Sequence, residues 1–331
     1  MFGFYKKKVP MLKQILVLAG ILLILPGCAV VQIAAVKATS SVLGEASAEI
    51  ETETDWELFK NGLPGDLKLM EALLYEDPEN STLLSTLAKG YAGYAYGFYE
   101  TMHLKEKYSE ADLTPYRTQA SAAYARAIKY GFRYLTGRGV DVGALSAGNK
   151  KISAILDAQL STSNKYDIEA VFYTGQSWMS LINLNRDQPK LLGQMPRVKG
   201  LFDWVCKAKP DYQHGACDIF YGAWESSRPR ALGGNPKKGK AIFLKAIKKY
   251  PHNLMIRSYF VEQYIIPSFD ETSWKEQKRY LTKALRAQKT KVYIPGQEKV
   301  NVKGVMPNAQ LFSAIALKRF QTVLRYEKDI F

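Results

Sequence analysis

A recurring spacing of small, aromatic and proline residues limits this chain's folding choices more than any other feature. It is clearest in GNPKKGKAIFLKAIKKYPHN, where Gly239 is followed by Phe243, Ala246 and Pro251. In a helix of 3.6 residues per turn, the first three share one face. The small residues let a second helix come close, the ring fills the groove between them, and proline ends the helix. Phe260 and Tyr264 continue the register on the next helix. The frame recurs at Met70, Leu73 and Pro78, followed by Leu84, Leu87, Ala88 and Tyr91. It recurs again at Phe202, Val205 and Pro210, after Val171, Gly175 and Trp178. Ala120, Tyr124 and Ala127 form another triplet, and Leu281 with Ala284 a weaker one.

This spacing is that of tetratricopeptide helix pairs. It predicts an all-α chain, a tetratricopeptide-like helical-hairpin solenoid of about four degenerate pairs. Extra residues at 101–119, 136–165 and 185–197 read as loops or longer helices. A last helix, Asn308 to Glu327, is expected to cap the stack. β-branched alternation is scarce. The one strand-like stretch is KVYIPGQEKVNVKGV (291–305), with a turn at Pro295-Gly296.

The N-terminus carries a second constraint. Lys6, Lys7, Lys8 and Lys13 precede an apolar run from Ile15 to Leu25, and no acid appears before Glu45. At helical rise the run is about 16 Å long, against roughly 30 Å for a bilayer core. A basic flank, a short apolar run and a small residue make a secretory signal. Leu25-Pro26-Gly27-Cys28 resembles a bacterial lipobox, in which cleavage precedes a cysteine that is then acylated. Pro26 is unusual at its place. The competing reading is an uncleaved anchor helix through Val36, and Met11 is an alternative start. The lipobox divides the chain into a signal (1–27), a lipidated tether or lead-in helix (28–55) and a helical body (56–331). It puts the body on the periplasmic side of a bacterial membrane, held by lipid at Cys28.

The formal charge is +15, and cleavage before Cys28 removes four lysines and no acid, leaving +11. A basic surface attracts nucleic acid, acidic partners or anionic lipid. An exported protein rarely meets nucleic acid, which favours the last two; the alternative is a solvated surface with no specific partner. Export also permits a disulfide between Cys206 and Cys217, which flank KAKPDYQHGA; the alternative is two small buried apolar residues. His103, His214 and His252 lie far apart and in no metal-ligand spacing, so neither a metal nor a cofactor is expected. GRGVDVGALSAG (137–148) follows no apolar strand and reads as a loop. With no GxxxxGK[ST] and no GxSxG, the chain is read as non-enzymatic.

Aromatic residues carry the positive signal. Tyr91, Tyr94 and Phe98 share a helical face in GYAGYAYGFYE, with Tyr96 and Tyr99 placed elsewhere. Neighbouring glycines leave room between helices. In tetratricopeptide stacks the first helix of each pair lines the concave side. Tyr94, Tyr173, Trp178, Tyr221 and Trp224 are therefore the candidates for lining a concave apolar pocket. Arg228 and Arg230 are candidates for meeting a carboxylate, with solvent-facing roles as the alternative. The lysines from Lys237 to Lys249 read as a wet outer surface.

LPGDLKLMEALLYEDPENSTLLSTLAKGYAGYAYGFYE (63–100), RPRALGGNPKKGKAIFLKAI (228–247) and AIALKRFQTVLRYEKDIF (314–331) resemble the T component of TRAP (tripartite ATP-independent periplasmic) transporters, the TatT family. The resemblance covers the mature chain, and ALGGNP (231–236) is its most specific part. It implies a periplasmic lipoprotein with cryptic tetratricopeptide repeats and an accessory role beside a transporter. It implies association with a soluble substrate-binding protein, homotrimers, and internal cavities for small apolar or organic-acid ligands. The alternatives are a stand-alone envelope ligand carrier and a structural oligomeric scaffold.

Overall fold

Helix-forming runs punctuated by Asp, Asn and Pro dictate the element order. The computed structural model describes residues 28–109, 115–147, 149–288 and 309–331. Among these there are helices and no strands. The signal (1–27) and the strand-like stretch 291–305 lie outside the described residues.

The helices are α1 (Cys28–Ile50), α2 (Trp56–Glu76), α3 (Ser81–Tyr94), α4 (Thr101–Tyr108), α5 (Pro115–Gly137), α6 (Asn149–Asp157) and α7 (Lys165–Leu184). They continue as α8 (Met195–Ala208), α9 (Ala216–Ser227), α10 (Pro236–Lys249), α11 (Leu254–Phe260), α12 (Glu271–Gln288) and α13 (Gln310–Arg325). Local chemistry sets several starts. The carboxylate or amide of Asp55, Asn80, Asn164, Asn235 and Asn253 accepts from a backbone N–H in the first turn of α2, α3, α7, α10 and α11. Two helices change pitch. A π-helical turn, Ala95–Glu100, joins α3 to α4, and a second, Val261–Ile265, follows α11.

Consecutive helices pack in pairs: α2 on α3, α7 on α8, α9 on α10 and α10 on α11. The small residues sit at the closest approaches. A Cβ on Gly239 would lie 2.1 Å from Ser226 Oγ and 2.8 Å from the Gly222 carbonyl oxygen. One on Gly222 would lie 2.9 Å from the Phe243 ring. Gly239 and Phe243 occupy the places the repeat spacing assigns. Across pairs, α3, α5 and α7 pack on one another.

One expectation changes, and another takes definite form. Of the tether and lead-in helix read for residues 28–55, Cys28–Ile50 is helical: α1 packs on α2 and α3, with Val36, Ser40 and Gly44 buried at four-residue intervals. Its end enters the body, where the Glu51 carbonyl accepts from the Leu311 N–H. The C-terminal helix also does more than cap. α13 packs on α11 and α12 and also on α2 and α4, so it closes the last pair onto the first.

The joint is polar. Arg319 on α13 is 1% exposed. Its guanidinium reaches Glu262 at 2.5 Å, Glu100 at 3.3 Å and Thr101 Oγ1 at 3.3 Å. Both π-helical turns thus deliver a carboxylate to one arginine.

Candidate functional site

Helices α3, α7, α9 and α11 turn small and apolar residues toward a common space, and these walls line a cavity of about 190 Å³. That is a size at which an apolar cavity holds a benzene-sized molecule. α3 contributes Gly90 and Gly93, α7 Phe172 and Met179, α9 Ile219 and Phe220, and α11 Met255 and Tyr259. Phe59 and Leu63 of α2 and Ile315 of α13 add to the apolar lining. Phe202 and Phe220 stack with centroids 3.7 Å apart, and Tyr96 stacks on Tyr259 at 5.5 Å. Arg319 lies behind that pair, 4.4 Å from the Tyr96 ring centre.

The charged lining residues are Lys89 and Glu51. Lys89 Nζ lies 2.7 Å from Glu51 Oε1 and 3.6 Å from Glu169 Oε1. Burial pulls the ammonium down, but the two carboxylates outweigh it and hold Lys89 above its ordinary range. Burial pushes Glu169 up, against the pull of Lys89. The cavity's one cation is therefore already committed.

A clamped loop supplies one wall. Cys206 and Cys217 are joined, with Sγ atoms 2.10 Å and Cα atoms 5.7 Å apart. Inside the closed loop three successive residues, Gln213 (φ 47°), His214 (φ 50°) and Gly215 (φ 110°), take left-handed conformations. Two of them are non-glycine, a costly arrangement that surrounding structure must hold. Asn253 Nδ2 donates to the His214 carbonyl at 2.9 Å, and the Tyr212 ring packs 4.8 Å from Phe172. Gln213 reaches the cavity and donates weakly to Tyr173 Oη at 3.4 Å.

Of the residues singled out from sequence, Tyr173 lines the cavity. Burial pushes its phenol well up. The other four aromatics point elsewhere. Tyr94 packs among Phe59, Phe98 and Tyr99. Burial pushes its phenol up to about 12. Trp178 lies five residues past Tyr173, about 140° around the helix. It packs edge-on to Phe132 and donates to Gln194 Oε1 at 2.6 Å. Tyr221 donates to Asp203 at 2.8 Å, and Trp224 lies under the Arg228 guanidinium at 4.1 Å.

Arg228 is not free for a ligand. It donates to the carbonyls of Trp224 (2.9 Å), Leu232 (2.8 Å) and Gly233 (3.1 Å), pinning the ALGG turn. Arg230 is exposed and away from the cavity. The α10 lysines are not simply wet. Lys238, Lys240 and Lys249 pair with Glu225, Asp270 and Asp211. No group of three or more His, Cys, Asp or Glu placed to hold a metal occurs among the described residues.

Tyr96 was assigned away from the pocket on helical periodicity, yet it lines the cavity. Tyr96 stands seven residues after Lys89 and three after Gly93, on the face they turn to the cavity, whereas Tyr94 is five residues past Lys89, about 140° around the helix. Phe172, Phe202, Phe220 and Tyr259 were also missed as lining, as were Lys89 and Gln213. Counting from Tyr173, the three- and four-residue steps to Gln176, Met179, Ser180 and Asn183 would have found most of the α7 wall.

A family model described as "TRAP transporter T-component" matches residues 52–331. An uncharacterized protein of Treponema pallidum (strain Nichols) is 24% identical over 195 residues. The match covers 58% of this chain and 59% of that protein, so the chain spans less than two thirds of this curated relative's length.

Proposed function

The chain belongs to the TRAP transporter T-component family, and from that premise we propose how it acts within such a system. It is a non-catalytic envelope lipoprotein that docks the transporter's periplasmic substrate-binding protein. It also holds a small apolar ligand in the cavity among α3, α7, α9 and α11. The observation that carries this reading is the cavity itself, a mainly apolar, aromatic-lined space among α3, α7, α9 and α11. Those pairs are read as degenerate tetratricopeptide hairpins, and self-association as a trimer follows from the family.

The anchor is read at Cys28. No helix among the described residues is long and apolar enough to cross a membrane. Acylation at Cys28 would attach lipid to the first residue of α1, and two or three acyl chains anchor durably. Because α1 is docked along Val36, Ser40 and Gly44, the body rides on a fixed helix. The cavity residues Ser47 and Ile50 then stand about 30 Å along that helix from the anchor.

The test is a tagged pull-down from detergent-solubilised envelope, with mass spectrometry of proteins and small molecules in the eluate. A soluble substrate-binding protein in the eluate is expected. Self-association with a bound apolar molecule and no such protein would replace this reading with that of a stand-alone carrier.

A further inference from the structure

A second pocket lies against the elements that wall the cavity. α2, the first π-helical turn and α13 send Phe59, Tyr96 and Ile315 to the cavity. Trp56, Phe98 and Lys318 of the same three elements face this pocket, whose volume is about 320 Å³. Its floor is aromatic. Trp56 is 7% exposed, and its indole N–H donates to the Gly97 carbonyl at 2.8 Å, which fixes the ring. Phe98 packs 5.9 Å from Trp56 and 5.9 Å from Tyr116.

The rim is cationic. Lys60, Lys105, Lys318 and Arg325 line it, and Glu57 is its acid. Glu57 lies 2.6 Å from Lys60 and 3.5 Å from Lys318. The Lys318 ammonium also sits 4.3 Å from the Trp56 ring centre. Lys105 and Arg325 have no carboxylate at ion-pair distance among the described residues. Four cations thus face one carboxylate beside a low-dielectric wall, an arrangement that concentrates anions.

We propose that this pocket binds a small organic anion, a carboxylate carried on an aromatic or apolar body. The body lies against Trp56 and Phe98. The carboxylate takes charge-assisted hydrogen bonds from Lys105 and Arg325, Arg325 offering the planar fork that suits it. The cavity does not suit such a ligand, because Lys89 is held there by Glu51 and Glu169. Glu57 is the pocket's resident competitor, since it occupies Lys60 and Lys318, which would otherwise add to the anion's field. The proposal does not depend on the transporter partner, and its failure leaves the pull-down result untouched.

The test is calorimetric titration of the full chain with phenylacetate, and with neutral 2-phenylethanol as the control. Phenylacetate is expected to bind, more weakly as salt rises, and more tightly than the alcohol. The double variant Lys105→Gln/Arg325→Gln should weaken it at least about tenfold. Glu57→Gln should tighten it several-fold. Thermal melting checks that each variant is folded. Absence of phenylacetate binding, equal binding of the alcohol, or undiminished affinity in a folded double variant would each overturn the proposal. Weaker binding in folded Glu57→Gln would do the same.

Discussion

The cavity and the basic pocket share three elements, α2, the first π-helical turn and α13, and treat charge in opposite ways. In the cavity one ammonium meets two carboxylates and the rest of the lining is uncharged, mostly rings and aliphatic groups with a few amides and hydroxyls. In the pocket four cations share one carboxylate over an aromatic floor. Burial explains the difference. A charge removed from water must be paired, so Lys89, whose side chain is 13% exposed, is paired. Lys105 and Arg325 are exposed, and water carries their solvation until an anion arrives. Arg319 stands at the boundary, with its guanidinium over the Tyr96 ring and a hydrogen bond to Thr101 of the pocket.

The sharpest way to break the comparison is to remove that boundary. Arg319→Met leaves Glu100 and Glu262 without their shared cation and should cost about 3–5 kcal/mol. Burial already holds Glu100 above its ordinary 4.5, against the pull of Arg319. A raised carboxyl favours the fold while protonated, so its contribution is present below the unfolded-state value and lost as pH rises through the folded one. The variant should therefore lose more stability near about pH 8 than near about pH 5. Urea denaturation at both pH values checks this; equal losses would remove charge as the cause.

Cutting the Cys206–Cys217 link tests the cavity side alone. Replacing both cysteines with serine should cost about 2–4 kcal/mol and free the loop that carries Gln213. Uptake of an apolar probe should fall while phenylacetate affinity stays unchanged, both read by calorimetry. Coupled losses would mean that the two sites are one unit. Gly239→Ala is next in size. The added carbon meets backbone at Gly222, and the expected loss is about 1–3 kcal/mol in chemical denaturation. A neutral result there would show that α9 and α10 can separate without consequence. The smallest effect belongs to Lys105→Gln with Arg325→Gln, each within about 0.5 kcal/mol in stability. A larger loss would mean that these cations hold the fold together.

The helix pairs were legible because their signal is local. A glycine, a ring four residues on and an alanine three further share a face whatever lies around them, and Gly239, Phe243 and Ala246 are buried together. The candidate site was less legible. Tyr173 was found, but the spacing that placed Trp178 beside it ignored the angle between them. Tyr94 and Tyr96 trade places because the ring spacing in GYAGYAYGFYE does not say which helix face is the cavity face; Lys89 and Gly93, three to seven residues before Tyr96, set it. Arg228 looked available for a ligand because the carbonyls that occupy it come from its own turn.

Sequence alone determined that this chain is helical, that its helices pair through small residues, and which family it resembles, since all three depend on short-range spacing. Tertiary structure decided which rings face the cavity, which lysine is committed and which cations stay free. Those outcomes depend on helix phase and on contacts between residues far apart in the chain. Lys89 and Glu169 are 80 residues apart, and Arg319 and Glu100 are 219 apart, yet each pair shares one buried charge network.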